Sequence, residues 1–129
     1  MKERKLAVVG SRTFSCPNLV KNIVSESLCA TTVFISGGAK GVDVVAEEAV
    51  NDWNRKATYN PILYKKVEKH IYKPEWDKYG KAAGFIRNEI IIKEADSILV
   101  FWDGKSKGTK HDIDLAIKYK KPMRIYVRS

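Results

Sequence analysis

Three short stretches combine glycine with hydroxyl, basic or acidic side chains, and each one follows an apolar run. They are Gly10-Ser11-Arg12, Ser36-Gly37-Gly38-Ala39-Lys40-Gly41-Val42-Asp43 and Asp103-Gly104-Lys105-Ser106-Lys107-Gly108-Thr109. Glycine lets the main chain come close to a ligand, and a helix that starts directly after such a turn offers unpaired N–H groups with a partial positive charge, which suits phosphate. The strings are neither G-x-G-x-x-G nor a Walker A loop, so they point to an anion at a helix start and imply no named cofactor. Ser36, Gly37, Gly38 and Gly41 together read as a binding loop, whereas Asp43 is favourable in the first turn of a helix simply by opposing the macrodipole. Arg12 either clamps a phosphate, stacks on a base or stays a surface arginine.

These stretches need elements to hold them. Continuous apolar runs predict strands at residues 5–9 and 96–102, short apolar stretches predict them at 31–36 and 123–127, and a more polar one is expected at 61–66. Helical spacing predicts helices from Ser15 or Cys16, from Val42 to about Arg55, from about Gly80 to Ala95 and after Thr109. In the third helix, Ala83, Ile86, Ile90 and Ile91 form the expected buried stripe, with Arg87 beside it and Asn88 and Glu89 turned further round. Arg87 then reaches a phosphate or sugar, or pairs at the surface with Glu94 or Glu75. Residues 67–79 read as a long loop carrying His70, Tyr72, Trp76 and Tyr79, with the aromatic rings packed over the sheet or stacked on a base. Alternation of β and α predicts a doubly wound, Rossmann-like parallel sheet of about five strands with helices on both faces. In such a sheet all three glycine turns fall on one edge, the edge where ligands bind.

At 129 residues the chain is expected to form one domain, with an ordinary hydrophobic fraction of 44%. It has no stretch of membrane-spanning length and no signal-peptide pattern, and Cys16 and Cys29 are spaced like reduced thiols, so the expected location is the cytoplasm. No metal site is implied. The net charge is +9, of which residues 61–129 carry +7, consistent with an anionic partner or with solvated helix faces.

The strings G-S-R-T-F at 10–14, S-G-G-A-K-G-V-D at 36–43, W-D-K-Y-G-K-A-A-G-F-I-R-N at 76–88 and F-W-D-G-K-S-K-G-T at 101–109 resemble, in order, the YspA-like branch of the SLOG superfamily. That Rossmann-like group also holds the Lonely Guy phosphoribohydrolases and the DNA-processing protein A (Smf) family. The resemblance implies a site for a nucleotide or its derivative at the carboxyl edge of the sheet, and a homodimer paired through helices. Gly10, Ser11 and Arg12 would contact the ligand, the loop from Ser36 to Gly41 would form its floor, and Gly104 to Thr109 would hold phosphate. Asp43, Asn88 and Asp103 complete the candidate binding set. Arg87 matches the arginine that binds and polarises substrate in the hydrolase relatives. Those relatives carry P-G-G-x-G-T-x-x-E in the last loop, where this chain has G-K-S-K-G-T-K-H-D, with Asp112 in place of the glutamate.

The leading expectation is therefore a sensor or carrier of a nucleotide-derived ligand. One alternative is an N-glycosidic hydrolase of nucleoside monophosphates, using Arg87 with Asp112 or Glu89. The other is a single-stranded nucleic acid binding module.

Overall fold

The structure, a computed structural model, describes residues 3–129. Its centre is a five-stranded sheet in the order β3-β2-β1-β4-β5, every neighbouring pair parallel. The strands are β1 (Lys5–Gly10), β2 (Val33–Ser36), β3 (Glu68–Ile71), β4 (Ser97–Trp102) and β5 (Met123–Val127). Helices α1 (Pro17–Ser27) and α2 (Val42–Tyr59) carry the chain outward from β1 to β3, and α3 (Trp76–Tyr79) and α4 (Ala83–Glu94) bring it back to β4. Helix α5 (Lys107–Lys118) leads on to β5.

The continuous apolar strands are explained by cover on both faces. Leu6 and Val8 of β1 pack with Val20, Val24, Ala46 and Val50 of α1 and α2. Ala7 and Val9, pointing the other way, pack with Ile91, Ile92, Ile113 and Ala116 of α4 and α5. Successive strand residues thus enter opposite cores, so every position must be apolar. The chain turns from one half of the sheet to the other between β1 and β4, whose register runs from Leu6 opposite Ser97 to Gly10 opposite Phe101. A crevice opens at the carboxyl ends of strands at such a switch point.

The third strand differs from the expectation. Residues 61–63 form a turn and 64–67 are irregular, and β3 is the charged run Glu68–Ile71. Helix α2 continues to Tyr59, and Asn60 then turns the chain by accepting from the N–H groups of Leu63 through Oδ1 (3.2 Å) and Tyr64 through its carbonyl (3.0 Å). Ile62 and Leu63, the apolar residues that suggested a strand, stand 90% and 71% exposed. Asn54 holds the start of the real strand by bonding both main-chain groups of Val67, and Trp53 Nε1 donates to the Lys65 carbonyl. The sheet edge tolerates a polar strand because one side of it meets solvent.

The expected 80–95 helix is also interrupted. Gly80 has φ +56° and separates α3 from a single 3₁₀ turn, after which α4 begins at Ala83. The buried residues of α4 are Ala83, Asn88, Ile91 and Ile92, whereas Ile90 is 44% exposed. Asn88 therefore faces inward, contrary to the helical-wheel expectation.

Candidate nucleotide-binding edge

Three loops meet over the switch point, and each is built by a local constraint. After β1, Ser11 is 1% exposed, and its N–H donates to the Phe101 carbonyl (2.9 Å). Its hydroxyl lies 3.2 Å from Thr109 Oγ1 and accepts from the Asp103 N–H (3.1 Å). Ser11 is thus a bolt between the first and third loops, and its hydrogen bonds are consumed there. After β2, Gly41 has φ +81°, and an added Cβ would sit 2.6 Å from the Arg12 Cα. The second loop packs against the first so tightly that only glycine fits.

The third loop is tied by Asp103. Its Oδ1 accepts from the N–H groups of Lys105 (2.8 Å) and Ser106 (2.7 Å), and its Oδ2 accepts from the Thr13 hydroxyl (2.6 Å). The Thr13 bond, followed by the two main-chain bonds, holds the Asp103 carboxyl well below the usual carboxylate range. Ser106 caps α5 by accepting from the Thr109 N–H (3.5 Å).

The loops surround a cavity of about 420 Å³. Its wall includes Gly10, Arg12, Thr13, Gly37, Ala39, Asp43, Arg87, Asn88, Lys105, Ser106, Gly108, Thr109 and Asp112, and Asp103 lines it as well. Of the other candidates, Ser36 is fully buried beneath the second loop, where its hydroxyl accepts from the Gly38 N–H (3.4 Å). Gly38, Lys40, Gly41, Gly104 and Lys107 belong to the same loops without lining the cavity. Glu89 does not line it: its carboxylate accepts from the Tyr119 hydroxyl (3.1 Å) and lies 3.6 Å from Lys93.

Arg87 crosses the cavity floor. Nη1 donates to the Gly37 carbonyl (3.0 Å), and Nε donates to Asn88 Oδ1 (2.9 Å). An added Cβ on Gly37 would lie 2.4 Å from Nη1, so this glycine makes room for the guanidinium. Asn88 Nδ2 donates in turn toward His111 Nδ1 (3.4 Å), whose ring meets Phe85 edge-on. Neither Glu94 nor Glu75 pairs with Arg87. Glu94 receives His70 Nδ1 (2.6 Å) and the Tyr72 hydroxyl instead. The Glu94 bond raises the pKa of His70 and drives that of Tyr72 up to about 12, giving His70 the partner that sequence reading did not supply.

Two carboxyl groups share the floor with Arg87. Asp43 is 7% exposed, accepts from the Ala39 N–H (3.0 Å) and is pushed up to about 6 by burial, against the opposing pull of that bond and of Arg87. Asp112 is equally buried, its Oδ1 has no hydrogen-bond partner, and burial pushes it up to about 7. Arg87 opposes that shift and Asp43 adds to it. Asp43 is therefore a loop-organising group of the cavity and more than a dipole partner. Thr13 and His111 were not singled out from the sequence, although Thr13 sits within the G-S-R-T-F string and His111 directly precedes Asp112. Among the described residues no group of His, Cys, Asp and Glu could hold a metal ion, and no helix is long and apolar enough to cross a membrane.

Residues 1–59 match the model of the DNA recombination-mediator protein A family. The chain is 30% identical over 113 residues to the Gene 61 protein of Mycobacterium phage D29, covering 84% of each. Among solved structures it is similar to DNA processing protein A from Helicobacter pylori, described for its single-stranded DNA binding mode, with a TM-score of 0.63 and 24% identity over 95% of this chain. The Streptococcus pneumoniae DNA processing protein A gives a TM-score of 0.66 and 22% identity over the same share. The chain spans 64% and 50% of those two proteins, and likeness at this level of identity establishes the fold. With its glycine loops gathered on one sheet edge and the phage protein as a relative over most of its length, the chain belongs to the SLOG superfamily, the group that includes DNA processing protein A.

Proposed function

We propose that the cavity takes one nucleotide unit of a single-stranded nucleic acid. The observation that carries this reading is the cavity's division of labour: Arg12, Arg87 and Lys105 supply positive charge, while Asn88, Asp43 and Asp112 supply hydrogen-bonding groups suited to a sugar or base edge. The chain's net charge of +9 favours a polyanion over an isolated nucleotide. The single-stranded DNA binding of the Helicobacter relative supports the same ligand class.

The test is fluorescence anisotropy of a labelled oligo-dT of about ten nucleotides across a salt series. Three phosphate contacts give a slope of about −2 in log K against log salt. A flat dependence, with a free nucleotide binding as tightly as the oligomer, would contradict the proposal and return the site to a sensor or carrier of a small ligand.

The unpartnered Asp112 oxygen favours a second reading, hydrolysis of a nucleoside monophosphate. The C1′–N bond breaks, a water oxygen bonds to C1′ and the base takes up a proton, with Asp112 as the negative charge facing the oxocarbenium-like centre. Free base accumulating with wild type and absent with Asp112→Asn is the expected result for this reading; no base release by wild type excludes it. The exposed Phe85, Ile90 and Ile117 on α4 and α5 support pairing of two copies through these helices, which sedimentation equilibrium checks.

A further inference from the structure

A second, shallower depression of about 260 Å³ adjoins the cavity along the first turns of α5. It is lined by Trp102, Lys105, Lys107, Lys110, His111 and Asp114. Lys105 lines both spaces, so the two lie side by side on this edge with that side chain between them. We infer that the strand leaves the cavity along this groove, which holds the phosphodiester of the neighbouring nucleotide. The inference rests on the single-stranded reading above and adds a direction to it.

The charges support a polyanion path. Among the described residues Lys105 and Lys107 have no carboxylate within ion-pair distance, so their charges are not neutralised by the protein. Lys110 lies 2.6 Å from Asp114, but both side chains are about half exposed, and a pair of this kind is weak enough for a phosphate to replace the carboxylate. The walls are held by hydrogen bonds and ring contacts. Trp102 Nε1 donates to the Ser106 carbonyl (3.1 Å), and His111 is held between Asn88 and Phe85. An aromatic wall held by hydrogen bonds beside exposed cations is the arrangement that single strands use, with stacking against the wall and backbone charge on the lysines.

The experiment compares dT mononucleotide and trinucleotide binding by calorimetry for wild type, the Lys107→Ala, Lys110→Ala double variant and Asp114→Asn. Wild type is expected to bind the trinucleotide more tightly than the mononucleotide. The double variant is expected to lose about fivefold of that advantage while keeping mononucleotide affinity, and Asp114→Asn to gain about twofold by freeing Lys110. Opposite signs from two surface changes cannot come from misfolding. If wild type shows the advantage and both variants retain it unchanged, the strand leaves by another route and the groove is overturned, with the single-stranded reading intact. If wild type shows no affinity for the trinucleotide, both fall together.

Discussion

Asp112 is a buried carboxyl whose Oδ1 lacks a partner, next to a second buried carboxyl, and such a group destabilises the fold once ionised. Its pKa rises from an ordinary value near 4 in the unfolded chain to about 7 in the folded one. The folded state therefore holds the proton more tightly, and the penalty is absent at pH 4, grows between pH 4 and 7 and is complete above pH 7. Asp112→Asn is expected to stabilise the protein by about 2 kcal/mol at pH 8, with the gap closing toward pH 4, as followed by thermal melts. Lower stability of the variant at every pH would show that the carboxylate is held by favourable contacts. The same pair would couple the proposed nucleic acid binding to protons. An anionic ligand raises both carboxyl pKa values further, so oligonucleotide affinity is expected to fall between pH 6 and 8 at constant salt. Arg87 offers a separate check. A lysine there keeps the charge but cannot donate at once to Gly37 and Asn88, and Arg87→Lys is expected to weaken oligonucleotide binding about tenfold. Asp112 was visible in the sequence only through its place in a family motif. By itself, D-I-D in an amphipathic helix reads as a solvated face, and the burial of Asp112 comes from the tertiary packing of α5 against α4 and the sheet.

At the scale of elements, the glycine turns show how the sequence encodes the site. Gly41 combines φ +81° with a Cβ position 2.6 Å from the Arg12 main chain. Gly41→Ala is expected to cost about 1–3 kcal/mol and to weaken binding, because the Arg12 loop must shift; a variant with unchanged melting and affinity would show that the two loops do not pack this tightly. Strands β1, β2 and β4 were legible because burial on both faces enforces unbroken apolar runs, and the main helices through their apolar stripes; β5, an edge strand with Ile125 and Val127 exposed, was legible from the short run M-R-I-Y-V that follows Pro122. β3 was not legible, since an edge strand of composition E-K-H-I depends on pairing with β2 and on the anchoring by Asn54, both non-local. The inward turn of Asn88 was missed for a related reason: its polar side chain is buried because Arg87 and His111 supply partners, and a hydrophobic pattern carries no sign of them.

The whole molecule joins these features through topology. A parallel sheet with a switch point between β1 and β4 brings loops distant in sequence to one edge, where Arg12, Arg87 and Lys105 meet Asp43, Asp103 and Asp112 around one cavity. The Cys16 and Cys29 thiols are free, and the fold stands on its two apolar cores. The central claim is that single-stranded nucleic acid lies on this edge. Photo-crosslinking of a thymidine oligomer, with the attached peptides mapped by mass spectrometry, tests it directly. Crosslinks are expected in the loops around Arg12, Ala39 and Lys105 and on the groove residues Trp102 and His111. Crosslinks confined to the opposite end of the sheet, around Cys29 and Leu63, would contradict the account.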